Sequence, residues 1–271
     1  MDRLAAMLHQ CADSVMQGVI ALAVGLLIFS VLERSFAFGP EKKSGRATWL
    51  DLQYALLSMF YPPFIYFIFA AIFGFLALHF QDTPPNPGLS PLRFAGQLFI
   101  VLLVRDGLIY LRHRVFHLGP VWKFHSIHHS SEEVNWLSAV RFHPAENLIE
   151  AAGETLLFLG CAIGGFDPAV LAVAGIVIGF YNFFIHSNLR WTFGPLRYVF
   201  VSPVFHRWHH SDEAAALDKN FAAMFSFLDL ALGTFYMPMN SRPETLGLAG
   251  SEKTIHPRTF VGQLLYPFRK R

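Results

Sequence analysis

One spacing occurs twice in this chain. His125-Ser126-Ile127-His128-His129 and His206-Arg207-Trp208-His209-His210 are both His-x-x-His-His. His113 and His117 form a His-x-x-x-His pair just before the first box. The chain has 13 histidines in 271 residues. At that frequency chance supplies roughly 0.03 copies of the triple box. Residues three or four apart share one helical face, so each box aims two rings at one point and sets the third beside them. Neutral imidazole is a good ligand for iron, zinc, copper and nickel. The fold must therefore gather distant segments around metal. His186, at the end of an apolar run, brings the candidate ligands to nine. One tetrahedral zinc takes four ligands. Nine suit two metals, each with four or five imidazoles and an open position.

The rest of the chain is built for lipid. It is 54% hydrophobic with 29 Phe and only 15% charged, against about 25% charged in soluble domains. The net charge of +2 does not suggest nucleic acid. Cys11 and Cys161 are the only cysteines, so no thiolate zinc site or redox pair is on offer. Spanning helices need about 20 mostly apolar residues. Val15–Leu32, Ala55–Leu78 (kinked or delayed at Pro62 and Pro63) and Phe94–Leu111 qualify. Ala151–Ile163 and Ala169–Ile185 are shorter and flank Gly164-Gly165-Phe166-Asp167-Pro168, which reads as the turn of a helical hairpin. Asp2, Asp13 and Glu33 flank the first stretch without a clear cleavage site after it, so it reads as a span rather than a removable signal. The expected fold is all-α: an integral membrane helical bundle with a cytoplasmic histidine-rich metal cap. Residues 1–95 are expected to hold N-terminal transmembrane helices, 96–240 the histidine-box catalytic domain and 241–271 a cytoplasmic tail.

Charge gives the orientation. Lys42, Lys43 and Arg46 follow the first span; Arg112, Arg114, Lys123 and Arg141 follow the third; Arg269-Lys270-Arg271 ends the chain. The 81–93 connection has one basic residue at its end, and the 164–168 turn has none. Lys and Arg favour the cytoplasmic side. Every histidine box then falls on that side, in a multi-pass protein of a bacterial inner membrane or an ER-like membrane.

Other residues surround the boxes. Asp106 and Tyr110 precede His113 by seven and three residues, on the same helical face. Ligating histidines usually give their second ring proton to a carboxylate or carbonyl, and Asp106 is placed for that; an Arg105–Asp106 charge pair is the competing reading. His143, before a proline, is as readily a cap as a ligand. Asn182 sits one turn before His186. Glu146, Glu150 and Glu154 recur every four residues, as a wet helix face or with Glu146 near the site. His9, His79 and His256 have no partners in sequence. No HExxH, GxSxG or phosphate-binding glycine loop occurs.

Taken together, the Asp106–Tyr110–His113-Arg114–His117 run, HSIHHSSEEVNWLSAVRFHP, the lone His186, HRWHHS and DKNFAAMFSFLDLALGTF resemble the fatty acid hydroxylase/sterol desaturase superfamily over about residues 100 to 236. The stretch after the first box is most similar to the bacterial sterol-desaturase-like and alkylglycerol-monooxygenase-like branch. The chain departs from the family pattern at Asn220-Phe221-Ala222, where Asn-Tyr-Gly is usual, at Leu228-Asp229, where Trp-Asp is usual, and at Asn182, where related hydroxylases have histidine. The resemblance implies two non-haem irons, with zinc as a substitute in preparations. It also implies O2, and a separate electron-donating reductase of cytochrome b5 or ferredoxin type. The activity implied is hydroxylation or desaturation of an unactivated C–H position of a sterol, fatty acyl or ether lipid. Asp106 and Asp229 would be the carboxylates balancing charge. Rival classes are a non-catalytic membrane haem electron carrier and a metal transporter; the first leaves too many histidines over, and the second expects ligands along a pore.

Overall fold

The computed structural model describes residues 2–39, 44–60, 89–239 and 241–269. Ten α-helices are present among them: α1 Asp2–Phe36, α2 Gly45–Ser58, α3 Pro91–Phe116, α4 Trp122–His129, α5 Pro144–Ile163, α6 Pro168–His186, α7 Pro203–His209, α8 Phe227–Ala231, α9 Glu252–Ile255 and α10 Phe260–Leu265. No strand forms among the described residues; Ala37–Leu189 and Ser211–Leu246 are isolated bridges.

The starts of four helices follow one local rule. Ser90, His143, Asp167 and Ser202 each accept a backbone N–H from the first turn, and each is followed by proline at the first helical position. Proline there removes a donor that has no intrahelical partner, and the polar cap satisfies another. The expected hairpin is present, and Gly165 supplies the left-handed residue of its turn (φ 77°). Its first arm begins at Pro144 rather than Ala151, which adds Glu146 and Glu150 to the helix.

Three helical stretches are long and apolar enough to cross a membrane: Gly18–Phe36, Pro91–Phe116 and Pro168–His186. Their outer faces present Leu26, Leu27, Val31, Phe99, Val104, Leu108, Ile176 and Phe180 to the surroundings. Apolar surface of that extent belongs in lipid. The expected span Ala55–Leu78 overlaps only the end of α2; from residue 61 it lies outside the described residues, as does His79.

The main core clusters Phe29, Trp136, Phe184, Phe205, Trp208 and Phe221 beneath the histidine boxes. A buried carboxylate ties α1 to this core. Glu33 Oε1 accepts the backbone N–H groups of Trp136 (3.0 Å) and Asn188 (2.9 Å), one in the turn after α4 and one just beyond α6. A charged group on an apolar helix is costly unless paired; here it fixes the membrane helix against two segments that carry the site.

Candidate metal centre

Four elements deliver the histidines. α3 carries His113 and is capped at its end by His117; α4 carries His125, His128 and His129; α6 ends in His186; α7 carries His206 and His209 and is capped at its end by His210. Among the described residues the nine form two groups, His113, His117, His125, His129 and His209, and His128, His186, His206 and His210, with the ligand atoms of each group within 4.8 Å of one another. α4 and α7 each contribute to both: His125, His129 and His209 join the first group, and His128, His206 and His210 the second. The groups are neighbours: the rings of His129 and His210 are 4.7 Å apart and those of His125 and His128 are 5.3 Å apart.

The hydrogen bonds of the rings decide what the groups can hold. His113 Nδ1 donates to the Phe221 carbonyl at 2.9 Å and His209 Nδ1 to the Lys219 carbonyl at 2.8 Å. His128 Nδ1 donates to the Arg141 carbonyl at 3.3 Å and His186 Nδ1 to the Asn182 carbonyl at 2.7 Å. A carbonyl can only accept, so each of these neutral rings carries its proton on Nδ1 and a bare lone pair on Nε2. Glu146 Oε1 lies 2.7 Å from His125 Nδ1; as a carboxylate it selects the same tautomer there, while burial pushes its pKa well above the ordinary carboxylate range. Yet His113 Nε2 lies 2.9 Å from His125 Nε2, and His128 Nε2 lies 3.1 Å from His186 Nε2. Two lone pairs facing one another repel unless a cation sits between them. In addition, Nε2 of His117, His129 and His209 is buried without a hydrogen-bond partner. The donor set fits one cation in each group, bound through neutral nitrogen.

Burial keeps the rings neutral. It holds His125, His128, His129, His206, His209 and His210 well below the ordinary imidazole range, and mutual repulsion among the rings adds to the effect. His117 is lowered by burial too, partly offset by its contact with Asp218 Oδ1 at 3.1 Å.

The residues around the groups divide by what they touch. Glu146 meets a ring directly, and Asn182 does so through its carbonyl, while its side chain donates to the Ala139 carbonyl. His143 belongs to neither group. Its Nδ1 accepts Ala145 N–H and its Nε2 donates to the Leu264 carbonyl, so it is the cap of α5. Asp106 and Asp229 meet no imidazole, contrary to the expectation that Asp106 would take a ring proton. Asp106 accepts the backbone N–H groups of Ala223, Met224 and Phe225; Asp229 accepts those of Phe221 and Ala222 and the Thr234 hydroxyl. They fix the segment whose Phe221 carbonyl orients His113. Sequence spacing placed Asp106 on the right helix face, but its carboxylate points past His113 to a loop over a hundred residues away. Burial raises Asp229 to about 6 despite those bonds. Arg105 pairs with Glu154 and Glu150 rather than with Asp106.

Three further contributors lie in the stretches that carry the family resemblance but were not expected at the site. Arg141 offers its carbonyl to His128 while its guanidinium donates to Asp51. Asp218 holds His117, and Asn220 braces the same loop by donating to the Phe205 and Tyr236 carbonyls. Asp218 (φ 55°) and Asn220 (φ 62°) adopt the left-handed conformation, which Asp and Asn tolerate best among non-glycine residues.

A cavity between α3, α5 and α6 leads to the site. Ile109, Phe142, Ile178, Tyr181 and Ile185 line it, and it ends at rings from both groups. A second opening, past Trp122 and Asp218, reaches His117, His129 and His209 from the other side. The first opening is lined by Arg105, Arg112, Glu146 and Glu150 as well as by the apolar side chains, so both routes to the histidines carry polar groups.

Comparison with known proteins agrees with this geometry. The fatty acid hydroxylase family model matches residues 98–234. An ornithine lipid hydroxylase of Rhizobium tropici is 30% identical over 68% of this chain and 54% of that protein. An alkylglycerol monooxygenase of Caenorhabditis elegans is 34% identical over 57% of this chain and 30% of that protein. A very-long-chain aldehyde decarbonylase of Oryza sativa is 29% identical over 63% of this chain and 28% of its own length. The chain thus spans about half the length of the first of these relatives and under a third of the other two. No solved structure matches it. With the matched region running from Leu98, two turns into α3, to Thr234, and so containing all nine clustered histidines, the chain belongs to the fatty acid hydroxylase family.

Proposed function

We propose that this protein is a membrane-bound oxygenase. It holds two irons in its two histidine groups and uses O2 and external electrons to hydroxylate or desaturate an unactivated C–H position of a lipid. The observation that carries this reading is the pair of opposed Nε2 lone pairs, His113 with His125 and His128 with His186, at the end of the cavity between α3, α5 and α6. Bound iron supplies O2 activation and the oxidising power for the C–H bond.

The chain's own residues do the rest. The carbonyls of Phe221, Lys219, Arg141 and Asn182 hold four rings in the tautomer that leaves Nε2 free to ligate. Asp218 supplies negative charge to the ring of His117, and Glu146 Oε1 holds the ring of His125 by a hydrogen bond. Asp106 and Asp229 keep the 221–225 backbone in place and so act as positioning residues. Ile109, Ile178 and Ile185 form the apolar part of the approach and limit water there, which protects a reactive centre from side reactions. The basic loops orient the boxes to the cytoplasmic side, where a soluble donor of cytochrome b5 or ferredoxin type delivers electrons. Zinc competes for the same sites in a recombinant preparation, since imidazole suits both metals.

Two of the relatives are named as a lipid hydroxylase and an alkylglycerol monooxygenase, which does not favour a haem carrier or a transporter. Lipid profiling of cells with and without the gene tests the proposal. The expected result is a lipid that gains one oxygen or loses two hydrogens only when the gene is present, together with about two irons per purified chain. Protein that takes up no iron when stripped of metal and reconstituted with it, or unchanged lipids beside metal flux in vesicles, overturns it.

A further inference from the structure

A cavity of about 720 Å³ opens where α1 ends and the chain leaves α6. None of the nine clustered histidines lines it. Three arginines do: Arg190, Arg197 and Arg242. Among the described residues no carboxylate lines this cavity, and none of the three arginines forms a salt bridge. Elsewhere on the chain Arg105, Arg112, Arg141 and Lys253 each have an acidic partner.

The contacts these arginines do make are neutral and few. Arg197 Nη2 donates to the Tyr198 hydroxyl and to the Met239 sulfur, each at 2.8 Å; a thioether is a weak acceptor. Arg197 Nε is buried without a hydrogen-bond partner. Arg242 Nη1 donates to the Phe38 carbonyl at 3.3 Å, and its guanidinium lies 5.2 Å from the Phe38 ring. The Arg190 guanidinium lies 6.0 Å from the Phe36 ring. A guanidinium carries five N–H donors, so most of those at the cavity face no protein acceptor. Carbonyls and rings do not cancel a full charge. Cations gathered without a counter-charge repel one another, and a bound anion removes that cost.

Position selects the anion. α1 and α6 both contain stretches long and apolar enough to cross a membrane, and the cavity lies where both end. Leu196, Val199, Phe200 and Met239 are exposed around it. A basic pocket with an apolar rim at that depth meets a lipid at two points: the arginines reach the headgroup and the rim reaches the chains. Phosphate presents several oxygens, and guanidiniums engage them through paired N–H bonds.

We infer that Arg190, Arg197 and Arg242 form a site for the phosphate of an anionic phospholipid. The site goes beyond the oxygenase reading and does not depend on it, because the lipid held there is remote from the histidine rings and is not the one oxidised. The headgroup clasps a junction that backbone bonds already define, Phe38 N–H to the Asn188 carbonyl at 3.1 Å and Arg190 N–H to the Phe36 carbonyl at 3.0 Å. Binding there stabilises the folded chain in proportion to occupancy.

Lipid titration of the full-length, metal-loaded protein in non-ionic detergent, read by the rise in thermal midpoint, tests this. The probes are dioctanoyl phosphatidylglycerol, dioctanoyl phosphatidylcholine and inorganic phosphate. Phosphatidylglycerol is expected to bind at least tenfold more tightly than the other two, and to weaken as salt is raised. Each basic side chain at an anionic lipid contributes about fivefold, so Arg190→Gln combined with Arg242→Gln is expected to weaken it about 25-fold. Both side chains are exposed, so metal content is expected to stay as in the unmodified protein. Arg93→Gln, at the other end of α3, is expected to change nothing. Equal affinity for the two lipids, inorganic phosphate binding as tightly as phosphatidylglycerol, or an affinity indifferent to salt overturns the site. So does an undiminished phosphatidylglycerol shift in the double variant, including the case in which that variant instead loses binding of soluble cytochrome b5, run in parallel as an acidic protein.

Discussion

Asp51 Oδ1 accepts Arg141 Nε at 2.6 Å, and the carbonyl of that same Arg141 orients His128. A carboxylate on α2, about 75 residues before the first box, thereby sets the direction of a ring in the four-histidine group. Both side chains are buried, so neither is replaceable by solvent.

Asp51→Asn removes the charge and keeps the shape. Partners behind metal-binding rings typically contribute 10–100-fold in metal affinity. The variant is expected to bind one of its two metals about tenfold more weakly, with the other unaffected. Chelator competition, read as two separate affinities, checks this; an equal loss at both would point to general unfolding instead.

His128→Ala and His209→Ala each remove a ring from a different group. Metal content is expected to fall toward one equivalent in each variant, with turnover abolished in both. His256→Ala serves as the control, since His256 packs against Tyr266 outside both groups. Full metal occupancy of the His128→Ala or His209→Ala protein contradicts the assignment.

Acid sensitivity has a defined sign. Six rings outside the membrane helices are held well below 6.5 by burial. Below 6.5 the unfolded chain binds protons that the native metal-free protein refuses, so stability is full above that pH and is lost as pH falls. Asp229, raised to about 6, acts the other way: its contribution is complete below 3.8 and disappears as pH rises through 6. Six groups outweigh one. The thermal midpoint of metal-free protein is expected to drop steadily from pH 7 to pH 5, with metal release over the same interval in the loaded form. A flat profile would show that the rings are solvated.

Two glycines of α1 separate rigid from yielding contacts. A Cβ at Gly25 would come within 2.9 Å of the Trp136 indole, and one at Gly18 within 2.7 Å of Met59 Cγ. The indole is rigid, and its backbone N–H is fixed by Glu33, whereas a methionine chain moves aside. Gly25→Ala is expected to cost about 1–3 kcal/mol through overpacking and Gly18→Ala well under that, by thermal denaturation in detergent. Equal costs would contradict the contact.

The local code was sufficient for much of this architecture. Polar-cap-plus-proline pairs stand where α3, α5, α6 and α7 begin, because capping is settled within one turn, whereas the apolar runs alone put the first hairpin arm at Ala151, well inside α5. Histidine spacing named eight of the nine clustered rings, because i,i+3 and i,i+4 geometry is a property of any helix, and the end of an apolar run named His186. What no local pattern could decide was how those rings divide five to four, since that depends on how α4 is rotated between α3 and α7. The partners of the rings were equally hidden. Carbonyls at Phe221, Lys219, Arg141 and Asn182 have no side-chain signature, because every residue has a carbonyl and only the fold aims it. Asp106 shows the limit most clearly: helical periodicity put it below His113, and packing turned it to the amides of Ala223, Met224 and Phe225. Periodicity fixes the side of a helix on which a group lies; which of the neighbours there it bonds is set by long-range contacts that only the folded chain brings into reach.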